Sequence, residues 1–584
     1  MNLTPEQKAV GKENFLNAAI SRRTFFKHSA VAGAVAGGSL GAFYFGYQAS
    51  VSNPVRVGVI GTGDEGSVLI GAINPQFIEV KSIADIRPYN VYRAFHGDWY
   101  SEAALAARPG LMKVYDWQTE AKARENVKVY AAEEGGYEGL IKNAKQDGVE
   151  AVIIALPLHL HAPAAIMAME AGLHVLTEKL MAHNVGQCKE MARVAKQTSR
   201  YLATGHQRHY NILYDNAVEQ IKRGLLGELH YIRAQWHRSN MPYPKVDSWQ
   251  QPMPREVKPE DKWAKQLDAD LKSWKAQLAQ AKSPKDVDLW TKRLAQKEAQ
   301  IADAVLKDTA AKFGYQHKPY KDASGKVIYD RPPAEELIRW RLWDRTGGGL
   351  MAELGSHQLD AAGIFISAAH AAVQEKLPPE KRQEKQLPLN VAATANRPLF
   401  PVDRDVEDHV YCIIEFPAPG YDPKDEYARQ KKIGVQYASI NGNGFGGYGE
   451  TVFGTAGTLI LESEKEALLF QGSDTSSKIE VSKGDGPTLD TQESGAQQAA
   501  VGKMAVDVSR GYTEEEEHWA WCIRQDPDNK DPNIQPRCHP KVALADAVIA
   551  LTTNIAARKG LRIEFKKEWF DPDSDSAPEG DYPA

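Results

Sequence analysis

The sequence predicts an α/β fold whose N-terminal part is a doubly wound parallel sheet. A short β-rich run at 55–60 leads into a glycine-rich turn and then into a helical pattern. Strand-like apolar runs then alternate with helical runs as far as residue 204. Polar or turn-forming residues follow three of these runs, at 156–157, 178–179 and 205–206. Because ligands of doubly wound sheets bind at the carboxyl ends of the strands, these residues are expected to meet at one edge.

Length, composition and charge limit the class of protein. The chain has 584 residues, which at about 150 residues per domain gives two to four domains. Hydrophobic residues make up 42% and charged residues 25%, which is typical of globular proteins and excludes collagen-like and mostly disordered chains. The net charge is −5, so we expect no nucleic-acid partner. The four cysteines are too widely spaced for a disulfide framework or a zinc site: Cys188, Cys412, Cys522 and Cys538.

Residues 1–54 are predicted to be a targeting segment. The paired arginines Arg22 and Arg23 precede a Gly/Ala-rich, weakly apolar run from Ala30 to Tyr47, which is the pattern of a twin-arginine signal. We therefore expect export by the twin-arginine machinery, to the periplasm or to a membrane-anchored position that faces it. Glycines make the run poorly suited to a membrane span of about 20 residues, and residues 48–50 could be a cleavage site. The alternative is a disordered arm with a chance Arg-Arg pair.

The glycine-rich turn carries a G-x-G-x-x-G motif formed by Gly61, Gly63 and Gly66. Between a strand and a helix, this motif is typical of a Rossmann domain, here residues 55–205, in which the turn lets a pyrophosphate approach the backbone. Asp85 lies 22 positions after Gly63, where a carboxylate accepts ribose hydroxyls and repels a 2′-phosphate. This favours NAD. Arg87 could instead attract that phosphate, so NADP remains open, as does a tight turn with no ligand.

Further motifs follow in order along the chain. They are 156–161 (LPLHLH), 171–179 (AGLHVLTEK), 205–208 (GHQR), 224–229 (GLLGEL) and 347–360 (GGGLMAELGSHQLD). Together with the glycine motif they resemble the Gfo/Idh/MocA oxidoreductases, the family of glucose–fructose oxidoreductase and inositol dehydrogenase, over about 55–245 and 335–565. The resemblance implies a C-terminal α+β domain, residues 206–565, with an open, mainly antiparallel sheet that forms the substrate wall. Leu180 replaces the family's proline, which is expected to loosen that turn, and Glu353 replaces its aspartate.

The resemblance also implies hydride transfer to or from a hydroxyl-bearing carbon of a sugar or polyol. Lys179 would hold and polarise the reacting hydroxyl, and His357 would act as acid–base. Glu353 lies four residues before His357, so on a helix the two share a face, although a capping or ion-pairing role is equally open. Leu156, Pro157, Glu178 and Lys179 are expected at the cofactor, and Arg208, Trp236 and Asp360 at the substrate.

Four histidines lie near the predicted strand ends and need a separate interpretation. His159, His161, His206 and His209 could form a metal site. Their positions spread over separate elements, however, which favours packing within the crevice. We therefore predict that no metal is bound.

Residues 254–333 do not fit the family core. Apolar residues recur there at helical spacing (Trp263, Leu267, Leu271, Trp274 and Leu278), and Pro284 interrupts the pattern. This predicts a helical hairpin on the surface, which would be a lid, an oligomer arm or a decorating insertion. We expect a homo-oligomer. Residues 471–510 are predicted to be a long loop, and the acidic tail, 566–584, is expected to be disordered from Asp571.

Three functional hypotheses remain at this point. The leading one is an NAD(P)-dependent oxidoreductase that acts on a sugar or polyol. The second is a glycosidase of the same fold that oxidises its sugar transiently, eliminates the substituent and reduces the ring again. The third is a non-catalytic sugar-binding relative. Because an exported dehydrogenase would meet no obvious nicotinamide pool, we expect the cofactor to stay bound and to be regenerated in place.

Overall fold

The computed structural model describes residues 3–20, 40–245, 247–378, 381–478 and 510–583. Its first half is a six-stranded, wholly parallel sheet, which confirms the predicted doubly wound fold. The strands are β1 (Val55–Ile60), β2 (Ile78–Ala84), β3 (Lys128–Tyr130), β4 (Ala151–Ile154), β5 (His174–Glu178) and β6 (Leu202–Gly205). Their order is β3-β2-β1-β4-β5-β6: the first three strands are added towards one side of the sheet and the last three towards the other, so the strand order reverses between β1 and β4. Ligands of such sheets bind at that switch point.

Helices cover both faces of this sheet. They span Asp64–Ala72, Pro88–His96, Glu102–Ala107, Leu111–Val114, Glu120–Asn126, Gly136–Asn143, His161–Glu170 and Val185–Thr198. All residues of β4 and β5 are buried, as expected where both faces of a parallel sheet are covered. The apolar runs of the sequence therefore end at polar residues that emerge together at one edge.

The second half contains an eight-stranded sheet that is antiparallel except for one pair. Its first strand is β7 (Leu229–His237). A separate hairpin is formed by β8 (Lys318–Lys321) and β9 (Val327–Arg331), and the sheet continues with β10 (Asn390–Asn396), β11 (His409–Pro417), β12 (Lys432–Ile440), β13 (Tyr448–Gly454), β14 (Gly457–Glu462), β15 (Glu466–Gln471) and β16 (Arg562–Glu564). The order is β15-β14-β13-β7-β12-β11-β10-β16, and only β7 and β12 pair in parallel. The predicted open, mainly antiparallel sheet is confirmed.

The helices of the second half pack partly on this sheet, through contacts such as those of Ser356–Ala369 with β7 and of Pro540–Lys559 with β10, and partly on the Rossmann domain. They span Ile212–Lys222, Lys262–Gln280, Pro284–Ala302, Leu306–Thr309, Pro333–Ile338, Asp344–Gly347, Ser356–Ala369, Ala371–Gln374, Tyr512–Gln525, Pro540–Lys559 and Pro578–Asp581. The helix Pro540–Lys559 is long and apolar enough to cross a membrane by length and composition alone. Most of it is buried inside the protein, which is the usual setting of a core helix.

The structure describes two parts of the predicted targeting segment, residues 3–20 and 40–54, and both contact the globular body. The helix Pro5–Ile20 packs on β15, where Asn14 Nδ2 donates to Leu469 O at 3.1 Å and Phe15 is buried. Tyr47 is buried and stacks on His518 at 5.5 Å between ring centroids. The paired arginines lie outside the described residues, so export stays a prediction.

The inserted segment contains the predicted helical hairpin. Helices Lys262–Gln280 and Pro284–Ala302 lie side by side, and Lys297 Nζ contacts Asp270 Oδ2 at 3.2 Å. The second helix also packs on Pro88–His96 of the Rossmann domain. The β8–β9 hairpin was not predicted, because its strands are short and mostly exposed.

The acidic tail corrects one prediction. Residues 571–583 are ordered against the helix Val185–Thr198, where the buried Lys189 ammonium donates to the carbonyls of Glu568 and Ser576 at 2.7 and 2.6 Å. Trp569 is buried at the start of this contact. The expected disorder is wrong because a buried cation organises a segment whose composition alone suggests a solvated chain. Of the predicted loop at 471–510, residues 479–509 lie outside the described part.

Candidate active site

The glycine-rich turn has the shape that a dinucleotide requires. Gly61 has φ +83°, and a Cβ there would lie 2.4 Å from Ala155 O. A Cβ at Gly66 would lie 2.0 Å from Gly61 O, so close helix–strand contact also requires glycine at that position. At Gly63 the nearest such atom is 3.6 Å away, which leaves this side open at the start of the helix Asp64–Ala72. The turn therefore fits a pyrophosphate at a helix N-terminus.

Asp85 is fixed at the carboxyl end of β2, in the same cavity as Gly61 and Gly63. Its Oδ2 accepts from Thr62 N at 2.9 Å and from Asn90 Nδ2 at 3.0 Å. Its Oδ1 accepts from Arg87 N at 2.9 Å. These neutral donors orient the carboxylate without neutralising it, so it remains an acceptor for ribose hydroxyls. The Arg87 side chain lines the same cavity.

A second cavity shares part of its wall with the first and is lined by all three of the predicted catalytic residues. Lys179, Glu353 and His357 all line it. Leu156, Glu178 and Trp236 line it as well, whereas Pro157 lines the first cavity. The carboxyl ends of β4 and β5 and of β7, a central strand of the second sheet, thus meet at a single crevice, called here the active-site crevice.

Lys179 hydrogen-bonds to the backbone of Glu353, whereas the Glu353 carboxylate is bound directly by Arg341. Lys179 Nζ donates to Glu353 O at 2.7 Å, while Arg341 Nε donates to the Glu353 carboxylate at 2.9 Å. Burial acts to raise the pKa of Glu353, but the positive charges of Arg341 and Lys179 outweigh it and hold the pKa at about 2. The carboxylate is therefore ionised and bound by Arg341. Residues Met351–Gly355 form a π-helical turn, in which the side-chain spacing of an α-helix does not hold.

His357 is buried at the base of the crevice, with its ring centroid 5.3 Å from that of Trp236. Burial, followed by the positive charge of Lys179, lowers its pKa well below the ordinary value of 6.5. The imidazole is therefore neutral near pH 7 and can accept a proton. Its backbone carbonyl accepts from Arg208 Nη1 at 2.7 Å, which fixes this part of the helix.

Glu178 is fully buried, and this burial, followed by the negative charge of Glu65, raises its pKa to about 8. The folded protein therefore binds this proton more tightly than the unfolded chain. The stabilising contribution is fully present below the ordinary pKa of 4.5 and is lost as pH rises towards 8. We expect the Tm of the Glu178→Gln variant to rise relative to that of the wild type as the pH increases from 4.5 to 8. A pH-independent difference would show that Glu178 is ionised throughout this range.

Arg208 and Asp360 lie behind the crevice, so their predicted contact with substrate is wrong. Arg208 is buried and donates to the carboxylates of Glu450 and Glu464 at 2.9 Å each. Asp360 accepts from His209 Nε2 at 2.9 Å and from Lys385 Nζ at 2.7 Å. The charges of Arg208 and Asp360 are therefore both paired with oppositely charged or hydrogen-bonding residues inside the protein. Of the three residues predicted to bind substrate, Trp236 lines the crevice.

The turn at Leu180 is anchored without the family's proline. Leu180 is buried, and its carbonyl accepts from His161 Nδ1 at 2.8 Å. The other ring nitrogen of His161 contacts Leu156 O, also at 2.8 Å. One histidine therefore connects the residues after β4 to those after β5.

Another cluster behind the crevice has a composition that could hold a metal ion. His206, Asp360 and Asp546 offer ligand atoms within 4.8 Å of one another. Lys385 Nζ contacts both carboxylates, so an ammonium group already lies between them. Within the described residues this arrangement favours a buried ion-pair network over a metal centre.

Several crevice residues were missed by the sequence analysis. They are Arg238, Trp340, Arg341, Arg510 and Tyr512. Arg238 follows β7 by one residue, a strand-end signal that could have identified it, and its guanidinium stacks on Trp236 at 5.3 Å. Arg510 and Tyr512 enter the crevice at the start of a distant helix, and no local pattern predicts that.

The comparisons with known proteins agree with this geometry. Residues 55–206 match the model of the Gfo/Idh/MocA family, an oxidoreductase family with an NAD-binding Rossmann fold. The chain is 25% identical over 214 residues to a glycosyl hydrolase family 109 protein from Solibacter usitatus, which is 36% of this chain and 44% of the relative. It is 36% identical over 104 residues to the 1-carboxy-3-chloro-3,4-dihydroxycyclohexa-1,5-diene dehydrogenase of Comamonas testosteroni, which is 18% of this chain and 25% of that enzyme.

A solved structure is also similar. An inositol dehydrogenase homolog from Azotobacter vinelandii, complexed with NAD+, has a TM-score of 0.49 and 13% identity, with 88% of this chain and 98% of that chain covered. The matched part of the chain spans less than half the length of the two curated relatives. Residues 55–206 form a Rossmann domain that matches the NAD-binding domain of the Gfo/Idh/MocA oxidoreductases.

Proposed function

We propose that this protein transfers hydride to or from a hydroxyl-bearing carbon of a sugar or polyol. The observation that carries the proposal is the active-site crevice itself. A lysine ammonium and a neutral histidine, Lys179 and His357, line a cavity that continues into the glycine-rich turn. These are the groups that oxidation of an alcohol needs, because the hydroxyl proton must leave as the hydride leaves carbon.

The chain's own residues have distinct tasks in this reaction. The backbone at Gly63 and the following helix hold the pyrophosphate, and Asp85 accepts ribose hydroxyls. The nicotinamide, when bound, supplies the hydride acceptor or donor. Lys179 donates a hydrogen bond to the reacting oxygen and lowers the pKa of the hydroxyl, while His357 accepts the proton. Trp236 forms part of the crevice wall beside His357, with the Arg238 guanidinium stacked on its ring.

The predicted compartment leads to a test of cofactor retention. If the chain is exported, the nicotinamide has to arrive bound and be regenerated in place, by a second substrate or by a later step on the same one. We expect protein purified without added cofactor, then denatured, to release close to one equivalent of NAD. Such retention corresponds to a Kd below micromolar, or a binding free energy beyond about 8 kcal/mol.

The same preparation also tests the alternative. Empty protein whose activity consumes soluble NAD stoichiometrically would contradict retention and indicate an ordinary dehydrogenase. The control is the Asp85→Ala variant, which should release less nucleotide because its ribose acceptor is gone. Release of the same amount from both proteins would show that Asp85 does not hold the ribose.

A second candidate function is a redox-neutral glycosidase. It is favoured by the partial similarity to proteins named as glycosyl hydrolase family 109. Such an enzyme would use Lys179 and His357 for transient oxidation of the sugar before the aglycone leaves. The two functions separate in one assay: release of a chromogenic aglycone with no net formation of NADH identifies the glycosidase, whereas NADH formation with an unsubstituted sugar identifies the dehydrogenase. A non-catalytic relative would bind nucleotide and turn over neither substrate.

A further inference from the structure

The inserted segment closes one side of the dinucleotide cavity. The Rossmann domain contributes Gly61, Gly63, Asp85 and Arg87 to its lining. The insertion contributes Phe313 and the buried Tyr315, while the helix that follows it adds Leu337 and Ile338. Since Asp85 marks the ribose of the adenosine half, these apolar side chains lie where an adenosine would be covered. The insertion is thus part of the cofactor site as well as a surface hairpin.

The insertion also delivers a carboxylate to Arg87. Asp303, directly after the helix Pro284–Ala302, contacts Arg87 Nη2 at 2.9 Å and accepts from Arg87 Nε at 3.0 Å, both through Oδ2. Its other oxygen, Oδ1, accepts from Tyr89 N at 3.1 Å. The Asp303 side chain is 1% exposed and that of Arg87 is 11% exposed. This is a buried ion pair, formed between two segments that lie more than 200 residues apart.

We propose that Asp303 is a cofactor-specificity residue, which makes the site select NAD over NADP by neutralising Arg87. The inference rests on the dinucleotide site and not on the chemistry of the second substrate. An arginine shortly after the second strand is the group that accommodates the 2′-phosphate of NADP. Here its guanidinium is already bound by a carboxylate, and the 2′-phosphate would also face Asp85.

The burial of the pair makes the selection strong. To bind a 2′-phosphate, Arg87 would have to leave Asp303, whose buried carboxylate would then lose its cationic partner. Breaking one side of a buried ion pair is costly because the remaining charge keeps its desolvation penalty. A phosphate placed beside the intact pair would meet two carboxylates and a single guanidinium. NADP is therefore disfavoured whether the Arg87–Asp303 pair breaks or stays intact. NAD has no 2′-phosphate and binds without disturbing the pair.

The test is a competition for the nucleotide site. The full-length protein is incubated to exchange equilibrium with NADH and NADPH, which are equimolar and in large excess over the retained NAD. It is then freed of unbound nucleotide by gel filtration and denatured, and the released NADH and NADPH are quantified. We expect the wild type to release mainly NADH. Asp303→Asn, which keeps an acceptor for Tyr89 N, and Asp303→Ala should each raise the NADPH-to-NADH ratio by about ten-fold or more, the scale of one lost charge contact.

Two further variants identify the cause of the shift. In Arg87→Ala/Asp303→Ala the gain in NADPH should disappear, because the gain requires a free Arg87. Asp270→Ala breaks another ion pair of the insertion, with Lys297, and should leave the ratio within about two-fold of the wild type. A ratio that is unchanged in both Asp303 variants, or equally raised in the double variant, would overturn the proposal. Failure of every variant and the wild type to bind either nucleotide would contradict the dinucleotide site itself.

Discussion

Replacement of Lys179 with methionine is expected to lower kcat by about 10²–10⁴ while the nicotinamide stays bound. Methionine keeps the length and apolar bulk of the side chain but removes the only charged donor that β5 directs to the crevice among the described residues. The hydrogen bond to Glu353 O is also lost, at a cost to folding of about 1 kcal/mol. The measurement is steady-state kinetics on a sugar and polyol panel, together with the amount of nucleotide that the denatured protein releases.

Two controls separate the loss of chemistry from the loss of structure. External alkylamines should restore part of the activity of Lys179→Ala, because a small ammonium ion can enter the space that the side chain leaves. Lys385→Met removes another buried lysine, one that contacts Asp360 and Asp546 behind the crevice. It should lower Tm while kcat per folded molecule changes little. If Lys179→Met retained near-wild-type kcat, Lys179 would have no place in the reaction.

Local patterns predicted the Rossmann half well, because its elements are determined by neighbours in the sequence. The run β1, its glycine-rich turn and the following helix can be recognised from spacing alone, and the buried strands β4 and β5 are continuous apolar runs. The second sheet was harder to predict. β16 has three residues and β8 and β9 are mostly exposed, so only their partners decide that they are strands. The ordered tail depends likewise on a buried lysine nearly 400 residues away.

The residues of the candidate site divide in the same way, into those that the local sequence predicts and those that depend on distant segments. Strand-end position and motif pointed to Lys179, Glu178 and His357, which line the crevice, but they could not predict which charged groups face it. Arg208 is bound by two glutamates that lie about 250 residues further along the chain. Asp303 was missed for the complementary reason, since its role depends on how the insertion folds back over the Rossmann domain. Ion pairing between distant segments leaves no periodic signal in a single sequence.

His357→Gln is expected to lower kcat by about 10²–10⁴ and to remove one limb of the pH profile. The base must be unprotonated to accept the hydroxyl proton, and the pKa of His357 lies well below 6.5 because of its burial and the nearby charge of Lys179. In the wild type, kcat/KM for alcohol oxidation should therefore stay level as pH falls from 7 to 6 and decline only in more acidic solution. In the glutamine variant this decline should be absent, because the imidazole that accepts the proton is no longer there to titrate.

The matched control is His206→Gln. His206 is also buried, and its ring centroid lies 6.2 Å from that of His357, but the residue does not line the crevice. Disturbed packing at this distance should alter Tm while kcat stays within about three-fold of the wild type and the acidic limb remains. An acidic limb centred at 6.5 or above in the wild type would contradict the neutral, desolvated imidazole. Equal losses of kcat in both variants would indicate that His357 acts through the packing of this region, and the general base would then have to be another group in the crevice.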